Sequence, residues 1–395
     1  MEWYSIKTKD DGSVEVPGTW LLPHYYEALN VLFRIENALR VFVYVVLKNE
    51  FKENWLAMNV ASDDAEETTI AKIAKQRMNQ AKAYGYLGYP IPCPLMYMTS
   101  GELIRLMTSD SCWKHFKDYF LGNKEIIKTK LDEIGTVRNA LAHFRPLKPD
   151  DVELIKQNAR HVMLRVESSL TDLMRCPSVV PTNTQDEWYK QLRTLGTDIC
   201  SMSFHQSESA FWVKVTFEYR CPILSPSHRK TMRRYRVLNI DTAAILPLYP
   251  DLANTVIYLS EQLPYTSMTD DDVPKFQKDI SMVFSRDILI SKSEQIKSEF
   301  EKFLLKISEE TGLLQEDNLA RGDLVHAVNV TARWNQHEGK QTGNWSFEKQ
   351  NLIREVREND PPEYWGALRY VEDNYVTSTD DYPWMPVSVC ELVPF

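Results

Sequence analysis

The apolar residues change their period near the middle of the chain, and this limits the folds open to it. Through about residue 175 they recur at spacings of three and four, the mark of helices with one buried face. Beyond about residue 184 several stretches alternate apolar with polar residues, as half-buried strands do. A chain of 395 residues is also long for one core. The expected fold is α+β overall, with an all-α bundle over 1–178 and a domain with an antiparallel sheet over 184–395. Cys176–Asn183 (CPSVVPTN), with two prolines and no apolar period, is the expected linker.

The first half reads as five helices. His24–Phe51 carries Leu29, Leu32, Phe33, Ile35, Leu39, Phe42 and Val46, and is apolar nearly all round after Val41, which suits a central helix. Its β-branched run Val41–Val46 also fits a strand, but the helical pattern before it favours helix. Thr69–Tyr84 is a second helix, with Thr69 placed to cap it. Thr99-Ser-Gly-Glu102 has the form of a capping box and predicts a helix from Ser100 to about Phe120. Asn123 caps a fourth helix carrying Ile127, Leu131, Ile134, Val137 and Leu141, which Pro146 is expected to stop. A fifth begins at Asp150 or Asp151.

In the second half, Glu187–Leu195 and Lys292–Glu310 read as helices, and Ala210–Arg220, Tyr235–Ile240 and Val325–Trp334 as strands. The first two strands suggest a hairpin with a long basic loop between them.

Bulk properties exclude several classes. The net charge of −9 is uneven: residues 1–180 hold 23 basic and 23 acidic side chains, so the excess lies beyond them. That balance argues against a protein that coats nucleic acid, though not against a small local basic site. Six scattered cysteines without a CxxC pair read as reduced, mostly buried thiols. The N-terminus is charged, and the most apolar stretch, Val41–Leu47, falls far short of the ~20 residues that span a bilayer. A cytoplasmic protein without membrane contact is expected. GxxxxGK[ST], a GxGxxG before a helix, HExxH and GxSxG are all absent, so ATPase, dinucleotide-enzyme, zincin and serine-hydrolase readings lack their motifs.

One segment carries chemistry. Residues 131–149 read LDEIGTVRNALAHFRPLKP, with Arg138-Asn139, three small or apolar residues, and His143. Histidine exchanges protons near neutral pH, and arginine supplies fixed charge and forked donors for phosphate oxygens. Cleavage of RNA by its own 2′-hydroxyl needs a proton acceptor, a proton donor and positive charge on the transition state, with no metal required. Five helical residues turn through about 500°, leaving the two side chains about 140° apart and ~7.5 Å apart along the axis.

The segment resembles the RxxxxH motif of HEPN domains, in which a polar residue often follows the arginine. The resemblance extends over about residues 20–175: a long first helix, an aromatic stretch ending in WKHFKDYF, and the RN-xxx-H-x-RPL segment followed by another helix. It implies a metal-independent endoribonuclease without cofactor, in which Arg138, Asn139 and His143 act at a composite site between two subunits. Arg145 and Lys148 would hold the RNA backbone. It also implies an effector in phage defence (abortive infection) or a toxin–antitoxin pair, with an antitoxin or phage-derived trigger as partner and a regulatory C-terminal domain. His143-Phe144-Arg145 departs from the HxY of some HEPN toxins, which puts that mode of silencing in doubt. Three alternatives stay open. Arg138 could pair with an acid inside the bundle and His143 could serve only as a helix C-cap, the domain could be a non-catalytic module for nucleotides or partners, or the chain could be one subunit of a multi-protein defence complex whose site another protein completes.

Other residues carry a weaker signal. Ser227–Arg236 (SHRKTMRRYR) offers Arg229, Lys230, Arg233, Arg234 and Arg236 to phosphates, with Tyr235 for stacking; the alternative is a solvated charged hairpin. His115 is expected to be structural. Trp334, Trp345, Trp365 and Trp384 read as core, and the acidic residues from Glu358 to Asp381 as a solvated tail.

Overall fold

A computed structural model describes residues 7–15, 23–60, 68–83, 93–228, 232–262, 265–268, 274–316, 321–336, 343–348, 352–354 and 356–368. The chain divides into two compact units, with the boundary between Met174 and Arg175.

The first unit opens with two paired short strands, β1 (Lys7–Thr8) and β2 (Val14–Glu15). Helix α1 (Pro23–Phe51) follows, then α2 (Ile70–Ala83), α3 (Ser100–Thr108), α4 (Trp113–Phe116), α5 (Lys124–Ala142) and α6 (Pro149–Arg175). The β-branched run is helical, and every residue from Val41 to Lys48 is buried, so α1 is the central element. A helix buried on all sides tolerates the lower intrinsic propensity of valine, because packing rather than propensity supplies most helical stability. Phe42 makes T-shaped contacts with Phe116, Tyr119 and Phe120, as Tyr44 does with Trp55. Both halves of the capping box form at Thr99 and Glu102, and Asn123 receives the amide of Ile126 at 3.0 Å.

Three expected boundaries differ. The helix expected over Ser100–Phe120 is interrupted after Thr108. Ser109 Oγ donates to Leu106 O and receives the Cys112 amide, and a Thr-Ser-Asp-Ser run offers the backbone such alternatives to a continuous helix. Helix α5 stops at Ala142, before Pro146 could act. The amide of Phe144 donates to Leu141 O and that of Arg145 to Ala140 O, with Phe144 left-handed at φ +56°, which together form a Schellman turn. Helix α6 starts at Pro149, where a missing amide costs nothing, and Asp151 receives the backbone amide of Lys148 at 2.7 Å.

The second unit contains β3 (Ser178–Val179), α7 (Glu187–Leu192), β4 (Cys200–Gln206), β5 (Trp212–Cys221), β6 (Ile223–His228), β7 (Met232–Ile240), α8 (Ile245–Leu248), α9 (Pro250–Thr255), β8 (Tyr258–Glu261), β9 (Tyr265–Met268), β10 (Pro274–Ser285), α10 (Arg286–Ser291), α11 (Ser293–Glu316), β11 (Val325–Gln336), β12 (Gly343–Phe347) and β13 (Tyr364–Ala367). One sheet runs β13-β8-β10-β5-β4-β3 with β9 also on β10, and a second runs β12-β11-β7-β6. All described pairs are antiparallel except β13 on β8. The α+β class is as expected. Phe300 and Phe303 of α11 make T-shaped contacts with Phe217, placing this helix on the core of the unit.

The expected hairpin of residues 210–240 does not form. Strand β5 pairs with β4 and β10, whereas β7 pairs with β6 and β11 in the other sheet. Much of the presumed basic loop is strand, because Ile223–His228 lies beside β7. The expected linker also carries structure: Ser178–Val179 pairs with β4, and Val180 is buried. No helix among the described residues is long and apolar enough to cross a membrane.

Candidate active site

Helix α5 brings Arg138 and Asn139 to its last turns and leaves His143 as its C-cap (φ −97°, ψ 15°). The apolar residues Ile134, Val137 and Leu141 face the core and fix the rotation of the helix. Arg138 therefore lies half-exposed toward α1, while Asn139 and His143 face solvent. Tyr25 of α1 donates its hydroxyl to Leu141 O at 3.0 Å and ties the start of α1 to the end of α5. Leu141 O already accepts the Phe144 amide, so the hydroxyl is a second donor to the same carbonyl.

Arg138 is one of two cations around a single acid. Its Nε lies 3.7 Å from Glu36 Oε2, which also accepts from Ser100 Oγ at 2.8 Å. Glu36 Oε1 accepts from Arg40, one helical turn on in α1. Arg40 also donates to Met98 O at 3.1 Å and Asn37 Oδ1 at 3.3 Å. Burial pulls the Arg40 pKa down; Glu36 opposes this, and the positive charge of Arg138 adds to the drop. Two guanidiniums thus share one carboxylate, and the cluster keeps positive charge. The outer one, with 39% of its side chain exposed, is open to an anion.

His143 has no side-chain partner among the described residues. Arg138 Nη1 approaches Asn139 Oδ1 at 3.5 Å, the outer limit of a hydrogen bond, so Asn139 remains available. Phe144, next to His143, is 84% exposed in its left-handed conformation. Arg145 and Lys148 are exposed just beyond it. The structure thus brings Arg138, Asn139 and His143 to one helix end, with Arg145 and Lys148 on the turn that follows.

Sequence reasoning found the motif but missed Glu36, Arg40, Ser100 and Tyr25. A signal for the acid was present: Glu36 and Arg40 lie one turn apart on a core helix, where a charged pair points to a polar cluster. Glu133 instead receives the side-chain amide of Asn158 at 2.6 Å. His115 Nδ1 lies 2.9 Å from Glu50 Oε2, and its ring makes a T-shaped contact with Phe51, a structural placement.

The basic residues of Ser227–Arg236 belong to the second unit. Arg229 and Lys230 lie outside the described residues. Arg233, Arg234 and Arg236 lie on β7 rather than in a loop, and strand alternation separates them. Arg233 stacks over Trp345 at 4.4 Å on the face that buries Tyr235. Arg234 and Arg236 lie on the other face, and Arg333 of β11, in register with Met232, shares that face. Arg333, also missed, makes this face cationic. Trp365 is buried and stacked on Tyr258, Trp334 and Trp345 are half-buried, and Trp384 lies outside the described residues. The five described cysteines are buried free thiols, and burial pushes Cys200 and Cys221 up to about 12, away from reactive thiolate character.

A scan against protein-family models, a search of curated proteins and a search of solved structures each returned no match.

Proposed function

We propose that the chain is a metal-independent endoribonuclease of the HEPN type, acting in the cytoplasm. The observation that carries this reading is an exposed His143 imidazole, unpartnered among the described residues, at the end of the helix that presents Arg138 from a cationic cluster.

The RNA 2′-hydroxyl would lose its proton to one imidazole, and its oxygen would attack the adjacent phosphorus. The bond from phosphorus to the 5′-oxygen breaks, and that oxygen takes a proton from an imidazolium. The products are a 2′,3′-cyclic phosphate and a 5′-hydroxyl. Arg138 would bind the non-bridging oxygens, whose charge grows in the transition state. Asn139 would orient the phosphate or the imidazole, and Arg145 and Lys148 would bind flanking phosphates. One imidazole cannot be base and acid in the same step, so the reading places two subunits with their α5 ends facing one cleft. Defence against phage, or toxin–antitoxin action, is the setting that the motif's resemblance suggests. Arg234, Arg236 and Arg333 would offer RNA a second cationic surface.

The test is incubation of purified protein with RNA in chelator. Fragments with cyclic phosphate ends, absent for Arg138→Ala and His143→Ala, support the reading. Cleavage by both variants at the unmodified rate overturns it.

The second reading is a non-catalytic binding module, and the Glu36–Arg138 contact favours it, since an arginine with an acid in its own chain has a structural use. It predicts no cleavage by any form, with protein or nucleotide binding retained.

A further inference from the structure

The second unit holds a polar cavity of about 450 Å³ where the ends of β7 and β8 and Lys278 of β10 meet the start of β11 and the segment around Arg354. That volume lies within the range of small-molecule sites. Its floor is fully bonded. Lys278 donates to Ile240 O at 2.7 Å and Leu352 O at 3.2 Å and is ion-paired with Glu261 Oε2 at 2.5 Å. Glu261 also receives Thr242 Oγ1 at 2.6 Å and the Tyr364 hydroxyl at 2.9 Å. Arg354 forks onto Asp360 at 2.6 and 2.8 Å and reaches Asp241 at 3.2 Å. These groups build the walls and leave little capacity for a ligand.

The remaining lining groups are not consumed in this way. The side chains of Arg321 and Arg357 are exposed at the cavity and have no side-chain acid partner among the described residues. Asn239 is 3% exposed; its Nδ2 donates to Leu352 O at 3.2 Å, but its Oδ1 has no donor among the described residues. Such a buried acceptor costs free energy unless something donates to it. His326 stands directly opposite Asn239 across the β7–β11 ladder and also lines the cavity. Its imidazole pKa is lowered by burial first, with Lys278 and Arg321 adding to the drop and Asp241 opposing it. The lining thus joins two free guanidiniums to one unfilled acceptor, with cations in excess of carboxylates.

We propose that this cavity binds the phosphate monoester of a small molecule of mononucleotide size. Arg321 and Arg357 hold the phosphate, and a hydrogen-bond donor on the body of the ligand meets Asn239 Oδ1. Guanidiniums suit phosphate oxygens because they present several donors in a plane and stay charged. The inference stands apart from RNA cleavage, since none of these residues belongs to the first unit.

The experiment is titration calorimetry of the full chain with adenosine 5′-monophosphate, ribose 5-phosphate, adenosine and inorganic phosphate. Either ester should bind at least tenfold more tightly than adenosine and than inorganic phosphate, and the tighter of the two tells nucleotide from sugar phosphate. Arg321→Ala with Arg357→Ala should weaken ester binding at least tenfold without lowering the melting temperature. Lys275→Ala, an exposed charge removed on β10 away from the cavity lining, should leave binding unchanged. Overturning results are no ester binding, inorganic phosphate bound as tightly as the esters, or equal binding by the double variant.

Discussion

Glu36 Oε2 lies 3.7 Å from Arg138 Nε while the other oxygen of the same carboxylate accepts from Arg40. One acid therefore both compensates a buried guanidinium and orients an open one. Glu36→Gln should lower stability by about 3 kcal/mol, because it strips most of the charge compensation from buried Arg40. It should also slow RNA cleavage beyond what the folded fraction accounts for, because Arg138 loses its fixed direction. Denaturant unfolding and a single-turnover rate, measured on the same sample, separate the two effects.

Phe144 holds a left-handed conformation that only glycine adopts freely. The Schellman turn imposes it, and the ring is 84% exposed, so little packing offsets the strain. Phe144→Gly should raise stability by about 1 kcal/mol, and Phe144→Val should lower it by a similar amount, since branching at Cβ sharpens the clash. Thermal unfolding of both variants checks the opposite signs.

Much of the helical unit was legible because its signals are local. Thr99 and Glu102, Asn123, and the apolar stripe of α5 declare themselves within a few residues. The interruption after Thr108 was not legible, because it depends on Ser109 taking its own backbone as partner. The second unit was harder to read. Strand β10 runs through Lys278 and Ser281, whose buried polar side chains break the alternation that marks a strand, yet it is central to its sheet. Lys278 is explicable only from Glu261 and two carbonyls brought in from elsewhere in the chain. At the candidate site the motif was visible because Arg138, Asn139 and His143 are neighbours in sequence. Glu36 was hidden because it reaches Arg138 only after α1 has packed on α5.

Lys278 and Glu261 are 2% and 1% exposed and form an ion pair. Lys278→Met should cost about 3–5 kcal/mol, since it leaves a buried carboxylate without its cation. Lys278→Met combined with Glu261→Gln should cost less than the two single changes added together. A double-mutant cycle from urea unfolding measures the difference.

Glu310 anchors the start of β11 to α11, accepting from the amides of Asp323, Leu324 and Val325 at 3.0, 2.9 and 2.7 Å. Burial raises its pKa, but the amides of Val325 and Leu324, then Lys306 and the Asp323 amide, outweigh it, and the net shift is below the ordinary 4.5. A carboxylate with a depressed folded pKa stabilises above its unfolded value, and that contribution fades as pH falls through the folded one. Glu310→Gln should therefore cost about 1–3 kcal/mol at neutral pH and lose less stability than the unmodified chain below about pH 4.5. Gly322→Ala should reproduce the loss at neutral pH, because a Cβ there would overlap the Glu310 carboxylate. Denaturation midpoints across that pH range decide both.

The most direct measurement is the single-turnover rate on one defined RNA strand, in chelator, for the unmodified chain and for His143→Ala. His143 is exposed and its side chain has no hydrogen bond or ion pair among the described residues, so its removal should leave the melting temperature unchanged. The account predicts a fall of about 10²-fold or more, as loss of a proton-transferring group gives. Equal rates for the two proteins would contradict it.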